Sequence, residues 1–371
     1  MNSLKRNMLA QQQVHAVVVL ENGLNGSQEV GGVGDDAMSG GVENYRTLLE
    51  QEYEWLRIKM QYSQKVFSLT FRYMMSLEGD FDPHRPSQDR QHWQQQQQQP
   101  PKGIVMNRPC DVKVTSSLII VSDSFNRRIL CFDLKTKKFK FTLSDSHRPY
   151  FMAVDLYDPN SLYVTCMENY VKKFDLEMKA MVWSKFQSDL KRPCGIVVES
   201  HQAENARIIV ADCVNQSFKI FSKMNGDFIG ELQYRLGCKN EIPFGLHLDG
   251  DGDLLCTNLL SHTISCISKN TNLLKVYWSI GKKGIHQGEF QYPRGVFFER
   301  STCLIYVCDQ SNNRINVFSN RGEFIQCFGS PNNEQGSGIY ELNSPLGLCI
   351  SEHTGELFVV DMGNNRVQIF K

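Results

Sequence analysis

Apolar and polar residues alternate in six short segments between residues 109 and 371, and each segment begins with a proline. The prolines are Pro109, Pro149, Pro193, Pro243, Pro293 and Pro345. In the first segment the third and fifth residues after the proline are Val112 and Val114, and both positions are apolar in all six segments. A period of two residues is typical of a β-strand with one buried face. Because the segments recur every 40 to 52 residues, the pattern indicates a structural repeat.

Each repeat continues with further apolar strands separated by polar turns. Six such repeats predict an all-β fold, a six-bladed β-propeller. In four repeats an Asp follows the second strand, an Asn comes three residues later, and in three of them an Arg follows. These residues are Asp123, Asn126, Arg128, Asp212, Asn215, Asp309, Asn312, Arg314, Asp361, Asn364 and Arg366. We expect them to have a structural role, because Asp and Asn side chains bond the backbone N–H groups of tight turns.

Two repeats depart from this plan. Cys166 and Val171 occupy the Asp and Arg positions of the second repeat, and Asn258, Ser261 and Thr263 replace all three polar residues in the fourth. Any role tied to these positions is therefore uneven around the ring.

The repeat resembles the NHL repeat family. The best matches are YPRGVFFERSTCLIYVCDQSNNRINVFSNRGEFIQCFGS and SPLGLCISEHTGELFVVDMGNNRVQIF, and the resemblance covers residues 108–371. It implies a propeller similar to the C-terminal one of tripartite-motif NHL proteins, where this module recognises substrates of a ubiquitin ligase. Those proteins carry a Cys/His-rich zinc module upstream, whereas residues 1–107 contain no cysteine. We therefore expect a link to ubiquitin ligases at most through recognition, with no enzymatic activity in this chain.

The sequence divides into an N-terminal region and the propeller, which we place at 103–371 with repeats starting near 109, 149, 193, 243, 293 and 345. Residues 1–41 have little periodicity and are predicted to be disordered. Residues 42–64 space their apolar side chains by three and four, which predicts an amphipathic helix. Residues 87–102 contain a poly-Gln tract followed by two prolines, and this composition predicts a low-complexity loop.

The sixth repeat has no fourth strand, because its third strand ends at Phe370. An unpaired blade edge invites aggregation, so we expect a strand from before the first repeat to pair there. The best candidate is residues 65–73, where Phe67, Leu69 and Phe71 alternate with polar residues. The alternative is that the predicted helix extends through Met75.

Composition and charge narrow the choice of function. Lys plus Arg and Asp plus Glu are equal at 40 each, so no overall field favours nucleic acid or membrane. The twelve cysteines form no CxxC pair, and reduced, buried thiols in an intracellular, cytoplasmic protein are the simplest interpretation. Neither a signal peptide nor an apolar stretch of roughly 20 residues is present, so no membrane partner is predicted.

No catalytic or metal site and no cofactor are predicted. The run from Asp249 to Asp253 alternates Asp and Gly like a calcium loop, but Leu254 and Leu260 stand where such a loop needs Gly and Glu. We therefore interpret it as a hairpin turn. The nine histidines are scattered, and no nucleophile elbow or HExxH motif is present.

The residues on either side of the prolines give the clearest functional signal, because they ring one mouth of the propeller. The predicted partner-binding rim consists of Arg108, Arg148, Tyr150, Arg192, Phe244, Tyr292 and Arg294. Arginine and aromatic side chains suit a protein partner. The alternative is single-stranded RNA, whose bases stack on aromatic and guanidinium groups. Equally, the arginine stems could simply cover apolar surface while their charged ends stay in water.

Overall fold

The computed structural model describes residues 73–77, 105–199, 206–233, 241–268 and 275–371. They form six four-stranded antiparallel sheets, which confirms the prediction of an all-β, six-bladed propeller. Within the described ranges the helical segments are four single 3-10 turns. The predicted disordered segment 1–41, the helix 42–64 and the loop 87–102 lie outside the described residues.

The strands follow the repeats in order. Blade 1 contains β2 (Pro109–Val114), β3 (Leu118–Asp123), β4 (Arg128–Asp133) and β5 (Phe139–Ser144); blade 2 contains β6 (Pro149–Val154), β7 (Ser161–Cys166), β8 (Tyr170–Asp175) and β9 (Ala180–Phe186). Blade 3 contains β10 (Pro193–Val198), β11 (Arg207–Asp212), β12 (Ser217–Ser222) and β13 (Phe228–Gln233); blade 4 contains β14 (Pro243–Leu248), β15 (Leu254–Asn258), β16 (Thr263–Ser268) and β17 (Lys275–Ile280). Blade 5 contains β18 (Pro293–Glu299), β19 (Leu304–Asp309), β20 (Arg314–Ser319) and β21 (Phe324–Gly329); blade 6 contains β22 (Pro345–Ile350), β23 (Leu357–Asp361), β24 (Arg366–Phe370) and β1 (Tyr73–Leu77).

Strand β1 completes the sixth blade. It pairs antiparallel with β24, and Leu77 lies opposite Val367 in the buried layer between blades 6 and 1. The pairing strand overlaps the predicted segment 65–73 only at Tyr73, and the rest of that segment lies outside the described residues. Met75 is in β1, so the alternative of a helix through Met75 is wrong.

The inner strands β2, β6, β10, β14, β18 and β22 surround the central channel, each beside the next, and β22 returns to β2. Glycines two residues after the prolines of blades 3 to 6 permit this close approach. At Gly195 a Cβ would lie 2.5 Å from the Leu246 nitrogen and the Phe244 carbonyl oxygen of the next inner strand. At Gly245 a Cβ would overlap the Arg294 carbonyl oxygen.

The Asp–Asn–Arg residues tie each intact blade to the link that enters it. In blade 5 one oxygen of the buried Asp309 carboxylate accepts the Gln291 N–H at 2.7 Å, and the other accepts from Asn312 at 2.8 Å and from Arg314 at 2.9 Å. The Arg314 guanidinium also donates to the His286 carbonyl at 2.7 Å. Blade 6 repeats the arrangement, with Asp361, Asn343, Asn364 and Arg366 as the corresponding residues.

In blade 2 the turn between β7 and β8 is one residue shorter than the corresponding turn of blade 1. Cys166 pairs with Tyr170, whereas Asp123 pairs with Arg128, so Tyr170 rather than Val171 stands at the Arg position. Asn169 adopts a left-handed conformation (φ 66°), like Arg127 in blade 1. One missing residue in the turn explains both shifts.

The cysteines also require one correction. Cys194 and Cys213 form a disulfide between the first strand of blade 3 and the turn after its second strand, so the expectation of reduced thiols does not hold at this pair. Of the nine further described cysteines, none of which is in this disulfide, seven are buried. Burial raises the pKa of the Cys131 thiol to about 12, so it stays protonated and packs as a small apolar group.

Candidate functional site: the proline-side face of the propeller

The prolines and the turns between second and third strands lie on the same face, because each proline pairs with the last residue of the second strand, as Pro193 does with Asp212. We call it the proline-side face. Four of the six residues before the prolines have positive φ, among them Arg108 (47°) and Arg192 (59°). Their N–H groups donate to turn side chains of the preceding blade: Arg108 to Asn365 at 2.8 Å and Arg192 to Asn169 at 3.2 Å.

A cluster of side chains fills the channel at this mouth. We call it the plug, and it consists of Cys110, Tyr150, Phe151, Cys194, Phe244 and Leu346. The three aromatic rings meet edge to face, with centroids 5.0 to 6.0 Å apart. Such contacts stabilise a packed cluster beyond its burial alone. The plug therefore closes the channel at the proline side.

This packing corrects the predicted rim. Tyr150 and Phe244 are only 6% and 1% exposed, so they belong to the plug rather than to the surface. The register is irregular between each proline and the third residue after it, so simple alternation of side chains does not apply to the residues between them. Arg108, Arg192 and Tyr292 are exposed, and Arg148 and Arg294 are partly buried.

Arg294 lies directly over the plug. Its guanidinium carbon is 4.3 Å from the centroid of the Phe244 ring, and its Nε donates to Gln310 at 2.7 Å. Burial lowers the pKa of this guanidinium, and the charge of the neighbouring Arg192 lowers it further. Arg294 nevertheless keeps its charge, because a guanidinium group is not deprotonated in proteins. None of the ion pairs in the described ranges includes either guanidinium group.

Between blades 1 and 2, an exposed phenyl ring lies between two arginines. Phe125, in the 3-10 turn Ser124–Asn126, is 42% exposed. The guanidinium carbons of Arg108 and Arg148 lie 5.1 and 5.7 Å from its centroid. Arg148 also pairs with Glu168 at 2.7 Å, which fixes its position. We call the exposed Phe125 ring and its two flanking guanidinium groups the Phe125 platform.

Further apolar side chains are exposed on the same face. Val214 and Leu260 are 57% and 43% exposed, and they occupy the same turn position as Phe125, two residues after the Asp position. A pocket of about 260 Å³ lies beside them, lined by Arg192, Cys213, Val214, Gln216, Ile242, Phe244 and Leu259. The rim prediction missed these turn residues. The available signal was an apolar residue at a turn position of repeats 1, 3 and 4, where polar residues are usual.

The opposite mouth of the channel is open. A cavity of about 350 Å³ is lined by all six inner strands and includes Lys113, His247 and Phe297. The Lys113 ammonium is 2.7 Å from the buried Asp111 carboxylate. Burial lowers the pKa of His247 to about 3, with a smaller contribution from the Lys113 and Arg300 charges, so its ring is neutral at pH 7.

The Asp249–Asp253 run, which resembles the start of a calcium loop in sequence, has clear local geometry. The Asp249 carboxylate accepts the N–H groups of Asp251 at 3.0 Å and Asp253 at 2.8 Å, within the turn between β14 and β15. In the part of the chain that the structure describes, no group of three or more His, Cys, Asp or Glu side chains could hold a metal ion. That part also contains no helix long and apolar enough to cross a membrane.

Comparisons with known proteins agree with the geometry of the blades. The family model of the NHL repeat matches residues 342–370. Over 134 residues the chain is 32% identical to the peptidyl-glycine alpha-amidating monooxygenase of Mus musculus, and over 86 residues it is 31% identical to NHL repeat-containing protein 2 of Homo sapiens. These matches cover 35% and 22% of this chain, but they span only 14% and 12% of the two relatives. A probable peptidyl-alpha-hydroxyglycine alpha-amidating lyase of Caenorhabditis elegans is 27% identical over 132 residues, 35% of this chain and 37% of the relative.

Two solved structures from Bacteroides thetaiotaomicron share the fold. A structural genomics protein of unknown function has a TM-score of 0.58, with 71% of this chain and 69% of that chain covered. An auxiliary nutrient binding protein has a TM-score of 0.59, with 72% and 69% covered. Both are 12% identical, which is a likeness of fold alone. The sequence repeats, the family-model match at residues 342–370 and the six four-stranded blades together support an NHL-repeat β-propeller.

Proposed function

We propose that this propeller binds a protein partner through its proline-side face and performs no chemistry on it. The observation that carries the proposal is the exposed Phe125 ring held between the guanidinium groups of Arg108 and Arg148. Aromatic and arginine side chains dominate the energetics of protein interfaces. The exposed Val214 and Leu260 on neighbouring turns extend this surface with apolar area. The proposal assigns no ligase activity to the chain.

Rigidity supports the proposal. The plug fills the channel below the face, and the buried Asp carboxylates hold the links between blades. A surface that is already ordered loses little conformational entropy when it binds. The amidating reaction named for two of the relatives is not proposed here, because no observation at the face points to it.

Site-specific photo-crosslinking tests the proposal. We expect a photoreactive residue at Val214 to form discrete protein adducts in cells, and the same residue at Ile229 on the outer strand of blade 3 to form few. Both side chains are exposed to a similar degree, 57% and 56%, so exposure alone does not favour either. Equal adducts at the two positions would contradict the proposal.

A purified partner then permits a quantitative test. We expect the double variant Phe125→Ala, Arg192→Glu to bind about 30-fold more weakly, the size of one interface hot spot. The matched control is Ile229→Ala, Lys138→Glu, which removes the same kinds of side chain away from the face. Unchanged affinity of the first variant would locate the binding surface elsewhere.

Single-stranded RNA is the second candidate, and the Phe125 platform is the observation that favours it. A base can stack on the guanidinium planes that flank Phe125, and binding through phosphates would weaken steeply with salt. The protein partner is preferred because Val214 and Leu260 offer aliphatic contacts that bases do not need. A filter-binding assay at low salt that retains oligo(U), and loses it with Arg148→Glu plus Arg192→Glu, would favour RNA instead.

A further inference from the structure

The pocket between blades 3 and 4 has apolar walls and a positively charged edge. Val214 and Ile242 form aliphatic walls, Phe244 belongs to the plug beneath, and Arg192 stands at the edge. The Cys194–Cys213 disulfide ties the turn that carries Val214 to the inner strand of blade 3. The volume of the pocket, about 260 Å³, is large enough for one apolar side chain with its neighbouring backbone.

Positive charge at this pocket has no carboxylate partner in the described ranges. Arg192 lines the pocket, and Arg294 is stacked on the Phe244 ring that also lines it. Burial and, in addition, the charge of Arg192 lower the pKa of Arg294. The carboxylates on this face are engaged elsewhere: Glu168 pairs with Arg148, and the buried Asp212 accepts the Lys191 N–H at 3.0 Å. An anionic group placed here would therefore be attracted by both guanidinium groups.

Building on the protein-binding function above, we propose that this pocket binds an acidic peptide segment of the partner. One apolar side chain of the peptide packs between Val214 and Ile242, and an adjacent carboxylate pairs with the guanidinium groups of Arg192 and Arg294. A guanidinium group accommodates a carboxylate through two parallel N–H···O bonds. The carboxylate also relieves the repulsion between the two arginines, so the pair favours an anion over a neutral group.

The walls of the pocket favour a peptide over a nucleic acid strand. A phosphate on Arg192 would leave the aliphatic pocket without an occupant, and the Phe244 ring is covered by Arg294 and cannot stack with a base. A peptide supplies both the apolar side chain and the carboxylate within two or three residues.

Selection from a random heptapeptide library displayed on phage tests this site with the full chain as bait. We expect enriched sequences that carry Leu, Ile, Phe or Met next to Asp or Glu. In fluorescence polarisation, the labelled peptide should bind at least tenfold more weakly after Asp/Glu→Asn/Gln exchange in the peptide or after Arg192→Glu in the protein. Basic or neutral consensus sequences, or no enrichment over a Val214→Asp bait, would overturn the proposal.

Matched variants separate a specific pair from diffuse charge. Lys191→Glu changes the same charge one residue away, and we expect at most a twofold loss of affinity; Arg192→Lys keeps the charge without the two parallel N–H groups and should give an intermediate loss. Equal losses for Lys191→Glu and Arg192→Glu would reject the pairing. If crosslinking at Val214 succeeds while acidic peptides fail, only this inference falls; if both fail, the proposed function falls with it. Displacement of the peptide by oligo(U) with a steep salt dependence would assign the site to RNA.

Discussion

In blades 5 and 6 a buried Asp–Arg ion pair holds the turn between the second and third strands. Blades 2 and 3 have no arginine at this position, and their buried ion pairs lie elsewhere. In blade 5 the Asp309 carboxylate receives Arg314, but in blades 2 and 3 the corresponding residues are Tyr170 and Ser217. Two positions further along, each of these blades carries a buried lysine instead. Lys172 pairs with Asp145, and Lys219 pairs with Glu231 at 2.6 Å.

The two kinds of blade differ in the groups that bond the link entering each blade. Where Arg is present, it donates to the carbonyl groups of the link, as Arg366 does to Gly338 and Glu341. Where Arg is absent, as in blade 3, other groups bond the link: the Asn215 side chain donates to the Asp189 carbonyl, and the Val214 N–H donates to the Lys191 carbonyl at 3.3 Å. Blades 3 and 4, which both lack Arg at this turn position, line the pocket on the proline-side face.

Deleting residues 73–77 is the most severe way to break the comparison, because blade 6 then loses its outer strand while blade 5 keeps its own. Loss of the buried Leu77 alone is comparable to a core Leu→Ala change, about 2–5 kcal/mol, and the unpaired edge of β24 adds to it. We expect Tm, followed by circular dichroism, to fall by on the order of 10 °C. Deleting residues 10–14 is the control, and an unchanged Tm after the first deletion would refute the closure.

Asp309→Ala and Asp212→Ala compare the two kinds of turn directly. Asp309→Ala leaves the buried Arg314 guanidinium without its carboxylate, which costs about 3–5 kcal/mol. Asp212 accepts only uncharged donors, such as the Asn215 side chain at 2.7 Å, so Asp212→Ala should cost about 1–3 kcal/mol. Urea unfolding with equal m-values measures both. Equal losses would show that Arg314 adds nothing to the turn.

The Lys172→Met variant tests whether the buried Lys172 stabilises blade 2 in place of the arginine that is absent from its turn. The change leaves the buried Asp145 carboxylate unpaired except for local donors such as the His147 N–H at 3.1 Å. We expect a loss of about 3 kcal/mol, the lower end for a broken buried pair. Adding Asp145→Asn should restore part of it, as measured by urea unfolding. If Lys172→Met is neutral, blade 2 is stable without any such pair.

Gly245→Ala and Gly230→Ala compare the space available for a side chain at an inner strand and at an outer strand. A Cβ at Gly245 overlaps the Arg294 carbonyl oxygen, whereas none of the described atoms lies within 4 Å of a Cβ at Gly230. We expect Gly245→Ala to cost about 1–3 kcal/mol and Gly230→Ala to stay within about 0.5 kcal/mol. Thermal unfolding of both variants gives the answer, and a harmless Gly245→Ala would mean that the inner strands have room to separate.

Much of the fold could be predicted from the sequence because the repeat carries it. Proline, apolar alternation and turn residues recur six times, and a missing fourth strand pointed to closure from the N-terminal side. The position of that strand could not be read locally, since residues 73–77 alternate Tyr73, Met75 and Leu77 much as 66–72 do. The pairing with β24 is the observation that places the strand at Tyr73–Leu77.

The site was harder to predict for a geometric reason. Simple alternation cannot place the residue after each proline, because the register behind the proline is irregular, and Tyr150 and Phe244 are buried. The one-residue-shorter turn of blade 2 likewise has no signal in composition. Of the arginines before the prolines, Arg108 and Arg192 are exposed and Arg148 is partly buried.

Closure by β1 also sets the order in which the molecule is completed. Leu77 pairs with Val367, so two segments 290 residues apart must meet before the ring is sealed. The entropy of closing so long a loop grows only slowly with its length, but contacts between distant segments form late and slow folding. During synthesis, five blades have all their strands before the last is complete. Until then β24 has no outer neighbour, and the nascent chain depends on rapid sealing to escape aggregation.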